Sequence, residues 1–109
     1  MNEDEQIELI MGIGPKHQFG PEITKKLRVG TIREIKEVNE LWRDGLLRTR
    51  SIILLDDDKR RIEQIDKWVE ILNMVTIEGF TREEFEDSIP EQMELAVERF
   101  LFGEQGAGI

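Results

Sequence analysis

The chain has 109 residues, the size of one compact domain. It contains no cysteine, which rules out a disulfide scaffold and a thiolate zinc site. Twenty-four acids against 15 bases leave a net charge of −9. The excess lies at the ends: residues 1–9 carry −4, residues 10–77 carry +2 and residues 78–109 carry −7. Both ends therefore repel polyanions, which disfavours general binding to nucleic-acid backbones. The acidic N-terminus is unlike a signal peptide. The longest purely apolar run, Ile52 to Leu55, is far short of the roughly 20 residues of a membrane span. The expected setting is cytoplasmic.

Residues 3–11 place Ile7, Leu9, Ile10 and Met11 after an acidic start, which predicts a short helix ending at Gly12. Residues 12–21 hold three glycines and two prolines and read as a loop. In residues 22–29, Ile23, Leu27 and Val29 share one parity, yet Ile23 and Leu27 also suit a helix turn. The β-branched residues and Gly30 favour a strand. Thr31 and Glu34 form a capping-box pattern ahead of Ile32, Ile35, Val38, Leu41 and Trp42, giving a helix over 32–44. Residues 46–55 suit either a short helix or a buried strand.

Asp56, Asp57 and Asp58 open the longest predicted helix, about 57–77, with Ile62, Ile65, Trp68, Val69, Leu72 and Val75 at steps of three and four. Thr81 with Glu84 caps a short helix over 82–87 that presents Phe85. Pro90 suits the first turn of a last helix, 90–102, striped by Met93, Ala96, Val97, Phe100 and Leu101. Residues 103–109 have no core-forming pattern and read as a flexible tail. The expected fold is mainly α: one small domain of four to five helices, with a short β element near 22–29. In it, residues 1–21 form a helix and a Gly/Pro loop, and 22–102 form the helical core.

Candidate chemistry is sparse. With one histidine, no cysteine and no tyrosine, the chain has few groups suited to neutral-pH acid–base or nucleophilic work. No catalytic residue, cofactor or metal site is expected. Gly12, Gly14 and Lys16 resemble the glycine hairpin of helix-hairpin-helix DNA-binding modules, where backbone amides meet a phosphate. The helix expected after Lys16 is interrupted by Gln18-Phe19-Gly20-Pro21. The Asp56–Asp58 run lacks the glycine and glutamate of a calcium loop and reads as an acidic helix start. His17 has no second histidine nearby in sequence and is expected in an exposed loop. Lys25, Lys26, Arg28 and Arg33 form a local basic patch, which could meet the acidic C-terminal third of a second copy in a homo-oligomer. Trp42 and Trp68 lie on apolar helix faces, where packing into the core is the plain reading.

Three runs carry a family resemblance: Leu27 to Ile35, Ile65 to Leu72, and Phe80 to Pro90, followed by the closing stripe Met93 to Phe102. Together they resemble tail assembly chaperones of long-tailed bacteriophages, over about residues 22–102. The resemblance implies a small, non-enzymatic helical protein that binds the tape-measure protein or the tail-tube protein. Trp42, Trp68, Phe85 and Phe100 are then the candidate partner-binding residues. The alternatives are a nucleic-acid-binding hairpin module using Gly12, Gly14 and Lys16, and a small acidic regulator or DNA mimic.

Overall fold

The computed structural model describes residues 3–103; residues 104–109, read above as a tail, lie outside the described residues. Among the described residues, six helices and a two-stranded antiparallel sheet follow in the order α1 (Glu3–Ile10), β1 (Ile13–Gly20), β2 (Ile23–Arg28), α2 (Ile32–Arg43), α3 (Thr49–Ile53), α4 (Asp58–Val75), α5 (Arg82–Glu86) and α6 (Pro90–Phe102). The described residues are 60% helical, but they form a mixed α/β domain and not a bundle of four to five helices. Residues 46–55 supply a five-residue helix, α3, where the sequence left helix and strand open.

Residues 13–20 form a strand, where the glycines and prolines of 12–21 predict a loop. Pro15 falls in the register shift between the pairs Ile13–Arg28 and Lys16–Lys26, and a bulge is a place where a strand tolerates a residue without an N–H. Gly14 is needed for a close approach: a Cβ there would lie 2.8 Å from the Leu27 carbonyl oxygen. The segment thus carries breaker residues because the two strands pack tightly, and composition alone conceals that.

Local capping explains the helix starts. The Glu34 amide donates to Thr31 Oγ1 at 3.3 Å while the Thr31 amide donates to Glu34 Oε1 at 2.9 Å. Thr81 and Glu84 repeat the arrangement at 3.1 and 3.0 Å. Such reciprocal caps satisfy donors that the helix itself leaves open. Asp57 accepts from the Lys59 and Arg60 amides and caps α4, and Asp58 pairs with Arg61. The aspartate run therefore does capping work.

Helix α4 is the central element and contacts α2, α3, α5, α6 and β2. Its Trp68, Ile71, Leu72 and Val75 meet Val38 of α2, Ile52 of α3, and Met93, Ala96, Val97 and Phe100 of α6 in one core. The hairpin joins this core through Phe19 and Leu27. Two aromatic contacts tie separate segments, Phe19 to Phe80 at 5.0 Å and Trp42 to Trp68 at 5.4 Å, while His17 packs on Phe19 within β1 at 4.7 Å, all edge-on. Buried Gln64 fixes the chain before α3, accepting from the Leu47 amide and donating to the Gly45 carbonyl.

Candidate functional site

The alternation of the hairpin gives it two chemically different faces. Phe19 and Leu27 point into the core with His17. Lys25, directly opposite His17 in register, shares that face. Its ammonium is 2.6 Å from Glu84 Oε2 and lies over the Phe80 ring at 5.6 Å. Lys16 and Lys26 are cross-strand partners on the outer face, and Arg28 follows two residues after Lys26. Like charges directly opposite one another are destabilising in a sheet. Lys16 is thereby brought beside the basic run 25–28, while Lys25 is withdrawn from it.

His17 is buried, 3% exposed, and belongs to a strand; the expectation of an exposed loop histidine is corrected. Its ring Nε2 lies 2.8 Å from the Gln92 carbonyl oxygen and its Nδ1 lies 3.0 Å from Arg99 Nη1. A carbonyl can only accept and a guanidinium can only donate. The ring is therefore neutral, with its proton on Nε2. Burial holds its pKa below the ordinary 6.5; the Gln92 carbonyl pulls upward and the Arg99 charge adds to the lowering. The unfolded chain then binds more protons than the folded one, so stability declines as pH falls from about 6.5 through the lower folded value. Urea midpoints at about pH 7.5 and 5.5 will show this decline, and it will shrink in His17→Gln, which lacks a titrating ring. Equal pH slopes in both proteins would remove His17 as its source.

The hairpin, the end of α1 and the end of α6 enclose an open groove of about 900 Å³. Leu27, Gly30, Ile35, Phe100 and Leu101 are among the residues lining it. Gly30 is required beneath Phe100, since a Cβ there would meet the ring at 2.5 Å. Around this groove apolar side chains face solvent: Leu9, Val29 and Phe102 line it, Ile10 follows Leu9 in the chain, and Met11 and Ile32 each lie two residues from a lining residue. Ile10 and Ile32 are 86% and 85% exposed. The charged lining residues are Glu8, Arg28 and Arg99.

The four aromatic candidates do not make this surface. Trp68, Phe85 and Phe100 are core residues, and Trp42 is half-buried against Trp68. Only Phe100 of the four lines the groove. Gly12 and Gly14 are engaged within the fold: the Gly12 amide donates to Leu9, its carbonyl accepts from Val29 at 2.8 Å, and Gly14 abuts β2. Lys16 instead joins His17 and Arg99 along a second, smaller notch. The exposed rim residues escape sequence reasoning because Ile10, Met11 and Ile32 sit at helix ends, where an apolar stripe reads as core.

Among the described residues there is no group of three or more histidine, aspartate or glutamate side chains placed to hold a metal ion. Among them, too, no helix is long and apolar enough to cross a membrane. The chain matches no protein-family model, no curated protein and no solved structure.

Proposed function

We propose that this chain is a non-enzymatic binding protein whose groove takes an apolar, acid-flanked helical segment of a partner protein. That is the work of a tail assembly chaperone on a tape-measure or tail-tube protein, the family its sequence resembles. The carrying observation is a groove with an apolar floor, on whose lining Leu9, Val29 and Phe102 are left exposed to solvent. Large exposed apolar patches mark interaction surfaces. Two of the three charged lining residues are arginines, so carboxylates flanking the apolar segment would complement them.

A photo-crosslinking residue in place of Ile32 tests the reading in cells of the native host. The expected product is a covalent complex with a long helical protein encoded nearby. Phe102→Asp is expected to reduce that product at least about tenfold while leaving the thermal unfolding curve in place, because Phe102 is exposed. A crosslink to nucleic acid alone, or no partner above the uncrosslinked control, would overturn it.

A further inference from the structure

A half-buried arginine normally ends on a carboxylate, because an uncompensated cation taken from water is costly. Arg99 does not. Among the described side chains no carboxylate lies within ion-pair distance of it. Its guanidinium donates instead to a neutral ring, Nδ1 of His17 at 3.0 Å. The His17 ring is itself fixed from the other side by the Gln92 carbonyl. A guanidinium has five N–H donors, and this contact uses one nitrogen of three.

The notch beside this pair holds about 350 Å³, and Lys16, His17, Gln18, Gln92 and Arg99 are among the residues lining it. Its charged members are Lys16 and Arg99, with no acid among them. In a protein of net charge −9, a notch of this size with cations alone is a local inversion of the molecule's field. Lys16 is already opposed to Lys26 across the strand pair, and a bound anion would relieve both that repulsion and the open charge of Arg99.

We propose that this notch is an oxyanion site, in which Arg99, held in place by His17, and Lys16 bind a phosphate or carboxylate group. Arg99 supplies the directional donors and Lys16 the second charge. The site lies across β1 and α6, which are separated by most of the chain. Occupancy therefore stabilises the docking of the hairpin on the last helix. Arg99 also lines the larger groove, but this assignment rests on the notch and its contact with His17 and not on the partner reading above.

Titration of the whole protein with sodium phosphate and, separately, sodium acetate at constant ionic strength tests it, followed by amide and arginine side-chain NMR shifts. Saturable shifts at residues 16–18 and at the Arg99 side chain are expected, with a dissociation constant on the order of 1 mM. Saturation by phosphate alone identifies a phosphate group, and saturation by acetate alone a carboxylate. Arg99→Gln is expected to weaken binding about tenfold or more. Lys16→Ala, exposed and opposed to Lys26, is expected to weaken it severalfold with an unfolding midpoint that does not fall. Linear shifts with both anions, or titrations identical in the wild type and in Lys16→Ala, would overturn the site.

Discussion

Replacing Trp68 by alanine is expected to lower the stability of the domain by about 3–5 kcal/mol. Trp68 is 1% exposed and sits on the central helix, where it packs with the α2, α3 and α6 side chains of the core. Its indole N–H donates to the Leu47 carbonyl at 2.9 Å, tying α4 to the segment before α3. Truncation therefore leaves a cavity, an unpaired carbonyl and a Trp42 ring without its edge-on partner. Trp68→Phe keeps most of the packing and is expected to cost distinctly less. Urea denaturation followed by far-ultraviolet circular dichroism measures both. A loss below about 1 kcal/mol for the alanine variant would place the ring outside the core.

Phe19→Ala is the second large effect, again about 3–5 kcal/mol. Phe19 is fully buried although it comes from a two-stranded sheet with one face open. It stands between the His17 and Phe80 rings, so its removal cancels two aromatic contacts, each worth about 0.5–1.5 kcal/mol beyond the area buried. An isolated hairpin is marginal in water, and this one is held to the helices chiefly by Phe19 and Leu27. Amide exchange should therefore accelerate first in β1 and β2, with α4 and α6 affected later. Uniform acceleration throughout the chain would show that the hairpin and helices unfold as a single unit.

What the sequence conveyed was local. Thr31 with Glu34, Thr81 with Glu84, Asp57 and Pro90 each set a helix start through contacts within a few residues, and these starts lie within one residue of the expected positions. The helical stripe of α4 likewise names Trp68, Leu72 and Val75 as core. The hairpin escaped because its first strand is built from glycine and proline, whose fit depends on a neighbouring backbone that no local pattern encodes. Phe19 and His17 were lost with it. The pairing of His17 with Arg99 spans 82 residues, and only the docking of β1 on α6 creates it. The groove was hidden for a related reason: whether Ile10, Ile32 or Phe102 is covered depends on what lies beyond its own helix.

Both margins of the hairpin are engaged by other segments. On the β2 side, Leu27 forms a bridge with Thr76, the Ile77 amide donates to the Lys26 carbonyl at 2.9 Å, and the Lys26 amide donates to the Glu78 carboxylate. On the β1 side, the Ile89 amide donates to the Phe19 carbonyl at 2.7 Å. Free strand margins template the addition of further chains. With those positions already occupied, fibril growth by stacking hairpin on hairpin would first have to peel away the segments around residues 77 and 89, so the folded domain should tolerate crowding without seeding cross-β assemblies.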